Sequence, residues 1–166
     1  MKRILVPVDG SANSLNAVRA ALKICRDGEP GHIHLVNVQP AFHRHISRWI
    51  SRSARDDFRR ERSDHALAPA RELIHQAGVP FTSYMMVGTT EDCVADIARN
   101  HKCSEIVIGA SPQDALGHFF SNSLATRLLV ASSIPVKIVP GKPVHLARRV
   151  ALPVGLGLAI WMLASE

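Results

Sequence analysis

Carboxylates, aromatics and cysteines are all scarce in this chain. It carries 14 Asp+Glu against 20 Lys+Arg, 5% aromatic residues and 3 cysteines among 166 residues. Cys25, Cys93 and Cys103 are odd in number, widely spaced and set in apolar surroundings, which excludes a disulfide framework and suits reduced core thiols in a cytoplasmic protein. The opening "MKRILVPVDG" meets Pro7 and Asp9 too early for the apolar stretch of a secretory signal, which also points to a cytoplasmic location. No HExxH, CxxC or nucleophile elbow is present, and His43 and His45 are spaced neither for one helix face nor for a zinc knuckle. Nothing therefore assigns a catalytic residue, a metal ligand or a general base. A binding or signalling module is expected rather than an enzyme.

The shortage of carboxylates leaves a formal net charge of +6, which raises the question of a nucleic-acid or membrane partner. Much of that charge lies in residues 43–62, "HRHISRWISRSARDDFRRER", where Asp56 and Asp57 stand three or four positions from arginines and can pair along a helix, with Glu61 among them. Only Trp49 and Phe58 interleave with the basic residues, too few for the stacking platforms of a nucleic-acid reader. The stretch reads as a solvated helix and its approach, with no nucleic-acid partner.

What the chain does have is 46% hydrophobic content, enough for one core at this length, arranged in alternating periods. "RILVPV" (3–8) is a short apolar run closed by Asp9-Gly10, and Ser11 offers an N-cap to a helix carrying Leu15, Val18, Leu22 and Cys25. "HIHLVNV" (32–38) is a second strand. A helix from about Ser53 to Ala77, stopped by Gly78 and Pro80, precedes a third, more exposed strand, "FTSYMMV" (81–87). Thr89 to Asp92 suggests a capping box for the next helix. "SEIVIG" is strand four, and a helix over about 121–131 leads to "PVKIV", strand five. Strand and helix alternating five times with short turns predict an α/β fold: right-handed βαβ units and a parallel sheet with helices on both faces. Ligands of such sheets sit outside the carboxyl ends of the strands, here the rim of Asp9, Val38 and Gly109.

Several motifs in this order carry a resemblance. "ILVPVDGSANSLNAVRAALKI", "HLVNV", "VGTTEDCVADIARNHKCSEIVIGAS" and "IPVKIVP" together resemble the universal stress protein A family over residues 1 to about 140. The resemblance implies a Rossmann-like, doubly wound, five-stranded parallel sheet of strand order 3-2-1-4-5, a homodimer built through the last strand around Val136, and a nucleotide site for ATP with Mg. In the ATP-holding branch, an acidic residue after strand one, a residue ending strand two, and a GxxG followed nine residues later by G(S/T) form that site. Carried onto this chain, the candidate binding residues are Pro7, Asp9, Val38, Gly109, Ser111, Asn122 and Ser123. Two loop glycines are replaced, by Pro112 and Asn122. Proline has no N–H to give a phosphate, whereas asparagine tolerates a left-handed backbone. A phosphoacceptor reading of Asp9 fails, because strand three ends "MMVGTT" with no second acid.

Residues 1–141 thus form the expected domain and 142–166 a basic, then apolar, tail. Val150–Ala164 is uncharged after Arg148 and Arg149. As a helix it would run roughly 22 Å, against roughly 30 Å of membrane hydrocarbon. Residues 146–164 are therefore expected to contact an inner membrane, another protein or the chain's own dimer. The leading expectation is a non-catalytic stress-response module with a degenerate nucleotide loop. An ATP binder with slow hydrolysis or phosphotransfer, and a membrane-tethered adaptor, are the alternatives.

Overall fold

The computed structural model describes residues 1–28, 30–41, 51–110 and 124–141. Strand β1 (Lys2–Pro7) is followed by α1 (Ala12–Asp27), β2 (Gly31–Gln39), α2 (Arg52–Gln76), β3 (Phe81–Val87), α3 (Thr90–Asn100), β4 (Glu105–Ala110), α4 (Leu124–Ala131) and β5 (Val136–Pro140). All pairings are parallel and the order is β3-β2-β1-β4-β5, as the strand–helix alternation and the resemblance imply.

The strands alternate their side chains between two cores. Ile4, Val6, Ile33, Leu35 and Val107 face α1 and α2, where Val18, Leu22, Leu67 and Ile74 meet them. Leu5, Val36, Ile106 and Ile108 face the other way, against Val94, Ile97 and Leu128 of α3 and α4. Strands covered on both faces have little room for polar side chains, which is why β1 and β4 read as continuous apolar runs. Strand β3 lies at one edge and has no fully buried residue, with Thr82 and Val87 exposed and the rest half-buried, matching its more polar sequence.

Local chemistry sets the helix ends. The Ser11 hydroxyl accepts from the Ser14 amide at 3.1 Å and starts α1. Ser51 does the same for α2 through the Ala54 amide. The capping box expected over Thr89–Asp92 takes a different form: the Thr89 side chain caps no amide, and its hydroxyl donates to the Asp92 carboxylate instead. Glu91 and Asp92 still place negative charge in the first turn of α3, where the helix dipole favours it. Along α2, Arg59 pairs with Asp56 and Arg60 with Asp57 at three-residue spacing, the solvated face expected from the sequence.

Candidate functional site

At the carboxyl ends of β1, β2 and β4 the chain leaves a cleft of about 170 Å³. Sheet order reverses here: β1 pairs with β2 on one side and β4 on the other, so the crossovers diverge and open a crevice between them. Pro7, Asp9, Val38 and Gly109 all line it, so four of the seven residues named from the sequence converge on one space. The other three, Ser111, Asn122 and Ser123, lie outside the described residues.

Asp9 sits in a tight turn that Gly10 makes at φ +85°, a backbone region that residues with a Cβ rarely enter. The turn folds the Ser11 amide back onto Asp9 Oδ1 at 2.9 Å. Burial would raise the Asp9 carboxyl, but hydrogen bonding from Ser11, through side chain and backbone, and then from Ser14 prevails and holds it below the ordinary range. A preorganised anion therefore stands on the rim near neutral pH.

Gly109 has a different reason to be glycine. A Cβ built there would lie 1.9 Å from the Asn13 carbonyl oxygen, because the first turn of α1 crosses directly over β4. The site also uses residues that sequence reasoning did not pick out. Asn37 is buried, and its side-chain amide donates to the Val8 carbonyl at 2.7 Å while accepting from the Gln39 amide at 2.6 Å. That chain ties the end of β2 to the last residue before Asp9. A lone asparagine within "HLVNV" was the available signal, since a polar side chain buried in a central strand must find partners. Ser14, Thr90 and Leu124 complete the wall from α1, α3 and α4. Their contribution depends on how three helices are laid over the sheet, which periodicity does not reveal.

The chemistry offered is one carboxylate, the hydroxyls of Ser11, Ser14 and Thr90, and apolar strand ends from Val36, Val38 and Ile108. Such a mixture suits a ligand with an apolar ring and hydroxyl groups.

Fold and cleft together define a doubly wound α/β domain with its ligand crevice at the topological switch point. The sequence profile of the Universal stress protein family matches residues 1–140, and the chain belongs to that family. A universal stress protein from Methanocaldococcus jannaschii is 26% identical over 140 residues, spanning 83% of this chain and 81% of its own. Among solved structures, a universal stress family protein from Burkholderia pseudomallei superposes with a TM-score of 0.65 at 25% identity, covering 84% of this chain and 96% of that one. A universal stress family protein from Arabidopsis thaliana, solved with AMP bound, superposes with a TM-score of 0.63 at 16% identity, covering 86% and 94%.

Proposed function

We propose that the chain is a non-catalytic, nucleotide-responsive module of the stress response, and that its cleft takes an adenine nucleotide weakly. The observation that carries this reading is the convergence of Pro7, Asp9, Val38 and Gly109 on the switch-point cleft. The AMP bound to the Arabidopsis relative supports the choice of ligand. Small-molecule pockets usually span roughly 300–1,000 Å³, so a cleft of 170 Å³ takes the base or sugar and leaves the phosphates outside it. Asp9 and the three hydroxyls are the groups to meet the ribose. The phosphates then fall toward Gly109 and the loop after it, where Pro112 withholds an amide donor. A magnesium ion would be held chiefly by the phosphates, outside the cleft in which Asp9 meets the ribose.

Calorimetric titration with AMP, ATP and MgATP, beside an assay of nucleotide released on denaturation, tests the reading. We expect AMP to bind with a Kd above about 10 μM, ATP no more tightly, and no phosphate release. Absence of heat up to millimolar AMP contradicts the reading, and steady ATP turnover above background establishes the hydrolytic alternative.

Two further parts of the reading concern assembly. We infer that a second copy docks along β5, which is the sheet edge next to β4 and carries a half-exposed Ile138. The family match ends at residue 140, which supports treating 142–166 as an appendage to the domain. No helix among the described residues is long and apolar enough to cross a membrane; the tail's own expectation falls on residues outside them.

A further inference from the structure

At the opposite end of the sheet, the amino ends of β1, β2 and β3 and the end of α3 surround a second cavity of about 490 Å³. Arg3 comes from β1, His32 and His34 from β2, Tyr84 from β3, and His101 and Lys102 from the end of α3. Thr82 and Asn100 add a hydroxyl and an amide, and no carboxylate lines it among the described residues. Concentrating cations without a counter-charge costs a folded protein stability, and an anionic ligand removes that cost.

The arrangement is ordered. His34 and His101 stack with ring centroids 4.9 Å apart, and Tyr84 lies 4.9 Å from His101. The Tyr84 hydroxyl stands 3.2 Å from His34 Nδ1 and 3.5 Å from His101 Nδ1. The hydroxyl can donate to one ring nitrogen and accept an N–H from the other, so the three side chains hold one another in place. Arg3 donates to the His101 carbonyl at 3.1 Å and the Cys103 amide closes back onto Ala98 at 2.8 Å, so the arginine and the end of α3 are fixed against each other. Lys102 occupies the position after the helix where glycine is usual, at φ +51°. A strained lysine retained on a cavity wall points to a use for its charge.

We propose that this cavity is a second binding site, for a dianionic phosphate group, held by Arg3 and Lys102 with the His32, His34, His101 and Tyr84 cluster and distinct from the nucleotide cleft. Binding there is linked to protons. Burial lowers His32 and His34 from 6.5, His34 to about 4, and the further causes are all positive: Arg3 and His101 on both, and His32 on His34. A bound dianion reverses the sign of that field, so the histidines hold protons to higher pH in the complex than in the free protein. Affinity for the dianion itself then rises as pH falls toward the free histidine values, while the phosphate's own protonation below about pH 6 depletes that dianion. A one-unit rise in a single histidine makes binding about tenfold tighter at the acid end of its window.

Histidine side-chain NMR of the full chain, titrated at constant ionic strength with inorganic phosphate and, separately, with glycerol 3-phosphate, reads the site directly. We expect saturable shifts of His34 and His101 with at least one of the two at pH 7.5, where the ligand is dianionic, and a His34 titration displaced to higher pH in its presence; the tighter ligand tells free phosphate from a phosphate ester. Lys102→Gly relieves the left-handed strain, so it should melt no lower than the parent yet bind roughly tenfold more weakly. Shifts no larger than chloride produces, or an affinity unchanged in both Lys102→Gly and Arg3→Gln, would overturn the proposal.

Discussion

Gly109 belongs to the nucleotide motif by position, yet its most demanding neighbour is the chain itself. With the Asn13 carbonyl oxygen 1.9 Å from where a Cβ would stand, any larger residue must push α1 off β4. Gly109→Ala should therefore cost about 1–3 kcal/mol in the absence of any nucleotide. Urea unfolding of the nucleotide-free variant checks this, and a loss below about 0.5 kcal/mol would return Gly109 to a purely ligand-facing role. Asp9 was legible as a rim acid from the strand-then-Asp-Gly pattern alone. The Gly109 contact was not, because it joins the first helix to the fourth strand and neither partner's neighbours in sequence hint at the other.

Among the elements, the strands and helices followed from periodicity: apolar runs for the central strands, one apolar face for α1 and α3. Helix α2 is legible in its second half, where Leu67, Ala70 and Ile74 are buried. Its first half is mostly solvated and is held by paired charges. Strand β5 bears the assembly question. Among the described residues it pairs only with β4, and Leu129, Val130 and Ile138 expose apolar surface. Ile138→Asp places a charge on the unpaired edge, a device that blocks strand addition. Light scattering should show a dimer for the parent and a monomer for the variant. A monomeric parent, or a variant that stays dimeric, would move the interface elsewhere.

For the whole molecule, the alternation of periods is enough to specify a parallel sheet covered on both faces, and the rim is legible in the sequence because that topology has one switch point. The helical part of the cleft wall was not legible, nor was the Asn37–Gln39 relay that steadies β1 against β2. The histidine cavity was missed for a related reason. His32, His34 and His101 looked scattered, and β2 and the end of α3 become neighbours only once the crossover lays α3 over the sheet. Among the described residues, two concavities thus lie at opposite ends of the strands, one holding a carboxylate and one holding cations.

The central claim is that the carboxylate end takes an adenine nucleotide, and a backbone amide NMR titration with AMP tests it most directly. The account predicts saturable shifts centred on Asp9, Ser11, Ser14, Val38 and Gly109. An AMP titration that leaves these amides in place while the protein remains folded would contradict it.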